Sequence, residues 1–278
     1  MTPYGNGFRL EDVLGARVPW RVLRILLRQP YLTFTPTVLA EELGTSRASV
    51  LRGLKPLVVA GVVRAGGGRY RVNAEQPLAK VLWRLFVLER ARNMQPEFGN
   101  AVALLFSAVE QQVSVFIVFG SVARGLATPK SDIDIAVVGD GVVERRFDFL
   151  PYRFDVHTYT HDQLVQPADF VALDALLNGI PLAGQDFVLE VLKELRFFPR
   201  SYLLYRLNRV RWFRQRAAEL EGDAGQYYTT LAGVALREIE SVLRRGTPVS
   251  KAEFEGRVAD VDEIEVALAQ EGERIWLT

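Results

Sequence analysis

Apolar residues recur at helical spacing in the first part of the chain. In the stretch 19–30, "PWRVLRILLRQP", a proline follows the apolar residues Val22, Ile25 and Leu26. The stretch 35–44, "TPTVLAEELG", has the end signals of a short helix. Thr35 is a good N-cap, Pro36 suits the first turn, and Gly44 suits the position past the end. The pattern therefore predicts two helices.

A third helix is predicted over 45–61, directly after a turn. We expect its apolar residues to form one buried stripe: Val50, Leu51, Leu54, Leu57 and Val58. The polar residues on the other side are Arg47, Ser49, Arg52 and Lys55. Pro56 lacks a backbone N–H, so we expect it to disturb the helix.

The next stretch, 62–73, alternates around three glycines and predicts a β-hairpin with its tip at Gly66 to Gly68. Its arms carry three basic residues, Arg64, Arg69 and Arg71. Residues 1–74 hold eleven Lys and Arg against four acidic residues, a net charge of +7, whereas the whole chain has a net charge of +1. A basic unit on a nearly neutral chain indicates a polyanionic partner for that unit.

This order of helix, short helix, basic helix and basic hairpin resembles a winged helix-turn-helix of the MarR and ArsR kind, over about residues 18–75. The resemblance implies that the third helix faces the major groove of DNA, and that the hairpin contacts the backbone or the minor groove. The implied DNA-binding residues are Arg47, Ser49, Arg52, Arg64, Arg69 and Arg71. Winged helices also serve as protein-docking or dimerisation modules, and that alternative stays open.

Beyond residue 75 the pattern changes from helices to strands and back. The predicted elements are, in order, helices over 76–94 and 96–112, strands over 113–121, 132–138 and 152–160, and a helix over 167–185 that ends at Gly179. The first of these helices is a connector or a dimerisation element. From about residue 187 the pattern is helical to the end. The predicted fold class is multidomain α+β.

The composition of the chain excludes several kinds of protein and of metal site. Hydrophobic residues make up 49% of the 278 residues, but no run of 18 or more apolar residues predicts a membrane span. The N-terminus lacks the pattern of a signal peptide, so we expect a cytoplasmic protein. There is no cysteine, which excludes disulfides and thiolate metal sites. Any metal must be held by carboxylates or histidine.

Two aspartates interrupt the apolar strand "SDIDIAVV" (131–138). Because side chains alternate along a strand, Asp132 and Asp134 share one face while the isoleucines share the other. Two carboxylates held close together repel unless a cation lies between them, and oxygen ligands favour Mg²⁺. Asp155 lies on the polar face of the third strand and can adjoin this pair. Three aspartates on neighbouring strands can hold two divalent ions.

Gly120 and Ser121 stand where the first strand ends and a short helix can begin. Backbone N–H groups and the Ser121 hydroxyl can face phosphate oxygens there, and glycine lets the backbone approach an anion closely. A metal–nucleotide complex at this turn would compensate the charge of the aspartates. The sequence therefore predicts a metal and nucleotide site.

Three stretches resemble the motif of the polymerase-β-type nucleotidyltransferase superfamily, and most closely that of its minimal prokaryotic members: Gly120-Ser121, Ala123-Arg124-Gly125 and Ser131-Asp132-Ile133-Asp134. The resemblance covers about residues 96–188. It implies that Asp132 and Asp134 bind two Mg²⁺ ions, or Mn²⁺ in their place. It also implies that Asp155 binds the catalytic ion and helps to deprotonate an acceptor hydroxyl. Asp148 is the alternative for this third carboxylate.

The same resemblance implies an NTP substrate, with ATP expected first. The hydroxyl of the acceptor attacks the α-phosphate and releases pyrophosphate. Gly120 and Ser121 would hold the β- and γ-phosphates, Ser131 belongs to the same nucleotide-binding motif, and Arg124 or Lys130 is available for the charge of the leaving group. The two histidines have other predicted roles: His157 in structural hydrogen bonding, His161 at the surface.

The C-terminal helices resemble either the HEPN group, which often accompanies minimal nucleotidyltransferases, or a substrate-binding bundle. Ribonucleases of the HEPN group use an Arg…His motif, and no histidine follows residue 161, so we do not expect that activity. Residues that could line a substrate site here are Arg211, Arg214, Tyr227, Tyr228 and Arg237. Packing and solvated positions are the alternative interpretation of all five.

We therefore predict four segments: a winged helix over 1–76, a connecting helix over 77–95, a nucleotidyltransferase domain with a mixed sheet and flanking helices over 96–188, and a helical domain over 189–278. The predicted function is metal-dependent transfer of a nucleoside monophosphate, combined with DNA binding. One alternative is a DNA-binding regulator whose nucleotidyltransferase domain senses nucleotide or is inactive. Another is an antitoxin-like enzyme that acts on a partner protein, such as a helical toxin. A second copy of the chain, in a homodimer, is a further alternative for the partner.

Overall fold

A computed structural model of the chain describes residues 17–139, 152–195, 197–245, 260–272 and 274–276. These residues divide into two compact units. One unit holds those up to Val165 together with Ala175–Leu195, and the other holds Gln166–Asp174 and those from Phe197 onward. The predicted α+β class is confirmed, with N-terminal helices and a hairpin, a mixed central sheet with helices, and a C-terminal helical region. None of the described helices combines the length and apolar character needed to span a lipid bilayer.

The N-terminal part of the first unit is built from three helices and a hairpin. The elements are α1 (Arg17–Arg28), α2 (Pro36–Leu43), α3 (Arg47–Val59), β1 (Val63–Gly66) and β2 (Arg69–Val72). The predicted cap of α2 is confirmed, because the Thr35 hydroxyl accepts a hydrogen bond from the Val38 N–H and Gly44 follows the helix with φ 58°. The buried side chains of this part include Val22, Leu23, Leu26, Leu39, Val50 and Leu54.

One expectation for α3, the burial of Leu51, is wrong. The helix itself continues through Pro56 to Val59. Pro56 is exposed, so water can reach the carbonyl that loses its N–H partner. Leu51, which was expected in the buried stripe, is 37% exposed. It lies one helical turn from Arg47 and Lys55, on the exposed side of the helix.

Helix α4 (Pro77–Arg92) connects the hairpin to the rest of the unit and is bonded on two sides. On one side, the Arg90 guanidinium donates a hydrogen bond to the Gly179 carbonyl oxygen at 2.6 Å. On the other side, Arg24 of α1 forms an ion pair with the buried Glu89 at 2.8 Å. The helix therefore connects α1 to the residues around Gly179.

Charged pairs also join α4 to α9 (Gln185–Glu194). Arg84 forms an ion pair with Asp186, and Lys80 pairs with Glu190 at 2.8 Å. The hydrogen bond from the Arg84 guanidinium holds the pKa of the Asp186 carboxyl below its ordinary value. These pairs are partly exposed, so they orient the two helices more than they stabilise them.

The central sheet has the strand order β5-β4-β3-β6. Its strands are β3 (Val113–Phe119), β4 (Ile133–Gly139), β5 (Phe154–Thr158) and β6 (Ile180–Ala183). Strands β4 and β5 are parallel, and β3 is antiparallel to both β4 and β6. The helices that precede or connect these strands along the chain are α5 (Pro96–Val109), α6 (Gly120–Ala123), α7 (His161–Val165) and α8 (Phe170–Asn178). Strands β3 and β4 are buried along most of their length, so they form the centre of the core.

The second unit is mostly helical. Its elements beyond residue 196 are β7 (Phe197–Pro199), α10 (Arg200–Glu219), α11 (Gly222–Arg245), α12 (Val261–Gln270) and β8 (Arg274–Trp276). Ion pairs join α10 to α11 through Arg206 and Glu238, and to α12 through Arg211 and Glu265. The expectation of helices to the end of the chain is wrong at β7 and β8, which pair antiparallel with Phe197 opposite Trp276. Strands of three residues are too short to leave a period in the sequence.

Candidate active site

Three strand ends meet at one edge of the central sheet. Strand β3 ends at Phe119, while β4 and β5 begin at Ile133 and Phe154. In the sheet register, Asp134 lies opposite Phe119 on one side and opposite Asp155 on the other. Adjacent strands are about 4.8 Å apart, and residues opposite each other point to the same face. The edge therefore brings Asp134 and Asp155 next to each other.

Gly120 lies directly against Asp134. Its φ of 66° is in the left-handed region, where a residue with a side chain is strained. A Cβ built on Gly120 would also overlap the carboxylate of Asp134. Two independent constraints therefore require glycine here, and the second one ties the Gly-Ser turn to the aspartate strand. The sequence predicted both motifs; the fold adds the contact between them.

The donor chemistry of this edge fits a divalent cation. Asp132 is half-buried and lies two residues before Asp134, directly ahead of β4. The side chain of Asp155 is 54% exposed. Carboxylate oxygens are the hard ligands that Mg²⁺ prefers. Among the described residues, no three side chains of His, Asp or Glu are grouped closely enough for a preassembled metal centre. Binding would therefore require these carboxylates to rotate toward a common point.

Residues 104–197 match the family model described as a nucleotidyltransferase domain. This region is a nucleotidyltransferase domain. The match begins in α5 and includes the whole central sheet and the edge just described. Comparisons with curated proteins and with solved structures found no match. The winged-helix resemblance of residues 18–75 has no matching family, so it stays a prediction.

A histidine adjoins Asp155, the predicted third carboxylate of the site. The Nε2 atom of His157 lies 3.4 Å from Oδ1 of Asp155, and its ring packs against Phe119 with 5.8 Å between centroids. The predicted structural role of His157 stays a prediction. The other candidate for the third carboxylate, Asp148, lies outside the described residues.

The nucleotide-binding candidates occupy the turn between β3 and β4. Ser121 lies in α6, Arg124 lies just after it, and both are half-buried. Lys130 is exposed. The Ser131 hydroxyl accepts a hydrogen bond from the Thr128 N–H at 2.9 Å. Ser131 therefore closes the turn before β4, and this role was not anticipated from the sequence. Its hydroxyl shapes the turn that carries Lys130.

The DNA-binding candidates lie on α3 and on the hairpin of the N-terminal part. Arg47 is exposed, and the Ser49 hydroxyl lies 3.0 Å from the hydroxyl of Ser46 and accepts a hydrogen bond from Arg52 at 3.2 Å. Ser49 thus orients Arg52 across the surface of the helix. The exposed basic side of α3 remains open to a partner.

The hairpin offers less positive charge than its three arginines suggest. Arg64 forms an ion pair with Glu75 at 2.6 Å, and this contact lowers the pKa of the Glu75 carboxyl. Arg69 donates to the Thr33 hydroxyl at 3.3 Å, and Arg71 is exposed. The neutralising role of Glu75 was missed, because Glu75 lies outside the hairpin pattern.

Proposed function

We propose that the chain is a metal-dependent nucleotidyltransferase, which transfers a nucleoside monophosphate from an NTP to an acceptor hydroxyl. The observation that carries the proposal is the contact of the Asp134 carboxylate with the backbone of Gly120, beside Asp155. This contact places a turn that is able to bind phosphate directly beside a pair of carboxylates. We assign the chemistry to the proposed domain 96–188.

Each residue of the edge has a proposed role. Asp132, Asp134 and Asp155 would hold two Mg²⁺ or Mn²⁺ ions, which neutralise phosphate charge when bound. Backbone N–H groups from Gly120 onward and the Ser121 hydroxyl would orient the β- and γ-phosphates. Catalysis would rest on positioning and electrostatics, as in other phosphoryl transfers.

The chemical step balances without any further reactant. The acceptor oxygen forms a bond to the α-phosphorus, and its proton passes to the Asp155 carboxylate. The bond from the α-phosphorus to the bridging oxygen breaks, and pyrophosphate leaves with the electron pair. Arg124 and Lys130 are the basic side chains nearest in sequence to this turn, and we propose that they balance the charge of the leaving group.

The test is a product assay with each of the four labelled NTPs and Mg²⁺, with and without cell extract as a source of acceptor. We expect release of pyrophosphate and a labelled product with at least one NTP. The Asp134→Asn variant should lose both, while Asp162→Asn, an exposed aspartate of α7, should keep them. Equal activity of the two variants would contradict the proposed site.

A second candidate function is a DNA-binding regulator whose nucleotidyltransferase domain senses nucleotide. The exposed basic side of α3, with Arg47, Arg52 and Lys55, favours it. Pulldown of genomic fragments followed by sequencing should enrich particular sites. The Arg47→Ala, Arg52→Ala double variant should lose them. Equal retention of random DNA would contradict specific binding. The two functions are compatible in one chain.

A further inference from the structure

Helix α10 presents aromatic and arginine side chains along one face. Four of its residues follow one another at intervals of four, three and four positions: Tyr205, Arg209, Trp212 and Arg216. Such spacing places them on a single side of a helix. Tyr205 is 54% exposed and Trp212 is 43% exposed. We call these four residues the α10 face.

The α10 face includes a shallow cavity and continues onto α11. A cavity of about 320 Å³ is lined by Tyr205, Asn208, Arg209 and Trp212. The Trp212 ring meets Tyr228 of α11 edge-on, with 5.7 Å between centroids. Tyr228 in turn contacts Tyr227, which is 60% exposed. Aromatic rings therefore extend from the cavity across to the neighbouring helix.

The charge of α10 is strongly positive. The helix carries six arginines, and its only acidic residue is Glu219 at its end. Arg206, Arg211, Arg214 and Arg216 form ion pairs with carboxylates of the second unit. Arg209 has no carboxylate partner among the described residues. Its guanidinium lies 5.7 Å from the Trp212 ring centroid and 5.2 Å from that of Phe213. The charge of Arg209 is therefore available to an anionic ligand.

We propose that the α10 face binds single-stranded nucleic acid. Exposed rings give bases a surface on which to stack, and uncompensated arginine attracts the phosphate backbone. Tyr205 and Trp212 are seven residues apart, about 10 Å along the helix axis, which is longer than one base. A strand with several unpaired bases can reach both rings, whereas a duplex hides the faces of its bases. This inference does not depend on chemistry at the nucleotidyltransferase site.

The test uses the full chain and a labelled single-stranded oligonucleotide of about 20 nucleotides, as DNA and as RNA, followed by fluorescence anisotropy. Unlabelled duplex in excess is added to saturate the proposed duplex-binding site of the N-terminal part. We expect wild-type binding to persist under these conditions. The Tyr205→Leu, Arg209→Ala double variant should bind about tenfold more weakly or worse, while Tyr205→Phe should bind like wild type because it keeps the ring.

The matched control is Arg211→Ala, which removes an exposed arginine from the same helix but from another face, where it pairs with Glu265. It should leave the affinity within about twofold of wild type, because it removes no stacking surface. Equal losses of affinity for the oligonucleotide in Arg211→Ala and in the double variant would overturn the proposal. So would wild-type protein that binds only duplex, or only a protein partner.

A second readout does not depend on the stability of the double variant. The chain has four tryptophans, and a base stacked on Trp212 should quench part of their fluorescence. Trp212→Phe should bind the oligonucleotide but lose this quenching. An excess of free mononucleotide should not displace the oligonucleotide, because a single base cannot reach both rings. Full displacement, or unchanged quenching in Trp212→Phe, would refute the assignment.

Discussion

Substitution of Gly120 tests the contact that joins the two halves of the proposed site. Gly120→Ala introduces a Cβ where φ is 66° and where the carboxylate of Asp134 already lies. The left-handed conformation costs about 1–2 kcal/mol for a residue with a side chain. Displacement of a packed neighbour adds about 1–3 kcal/mol. We therefore expect a loss of about 2–5 kcal/mol in the free energy of unfolding.

Gly125 provides the matched control for this experiment. Its φ is 70°, but a Cβ built there meets no atom within 4 Å. Gly125→Ala should therefore lose only the conformational part, about 1–2 kcal/mol. Urea unfolding of wild type and both variants, with unchanged m-values, measures the difference between the two glycines. Equal losses for Gly120→Ala and Gly125→Ala would refute the close approach of Asp134.

Three further predictions concern charge and pH. Glu75→Gln should tighten binding to duplex DNA and steepen its salt dependence, measured by anisotropy, because it frees Arg64. The Arg84 contact lowers the pKa of the Asp186 carboxyl, so this contact stabilises the fold above pH 3.8. The stabilisation is lost as the pH falls through the lowered pKa. In urea unfolding, the Asp186→Asn variant should therefore lose less of its free energy of unfolding in acid than wild type does. Burial raises the pKa of the Tyr31 hydroxyl to about 12. The free energy of unfolding, measured by urea unfolding, should therefore fall as the pH rises from 10 toward 12, and it should fall less steeply in the Tyr31→Phe variant than in wild type.

Local signals in the sequence predicted local structure well. The Thr35 cap and the Gly44 end of α2 are confirmed, as is the hairpin, whose turn residues Gly67 and Gly68 both have positive φ. The apolar strand that carries Asp134 is also confirmed, and Asp132 directly precedes it. Each of these features depends on residues within a few positions of one another, where conformational preference and side-chain period act directly.

Contacts between distant residues were not predictable in the same way. The parallel register that places Asp155 opposite Asp134 depends on how two strands align, and the hydrophobic pattern does not fix that alignment. Neutralisation of Arg64 by Glu75 depends on where the chain turns after the hairpin. The exposure of Leu51 depends on which side of α3 its neighbours cover. Tertiary packing decides all three.

Titration calorimetry of Mg²⁺-ATP and the other Mg²⁺-NTPs tests the central claim most directly. Wild-type protein should bind at least one NTP, and the binding should need Mg²⁺, because the carboxylates at the edge repel phosphate without it. Asp134→Asn should abolish this metal-dependent binding, while Asp162→Asn should bind like wild type. Binding that persists in Asp134→Asn with unchanged metal dependence would contradict the proposed site, as would wild-type protein that binds no NTP.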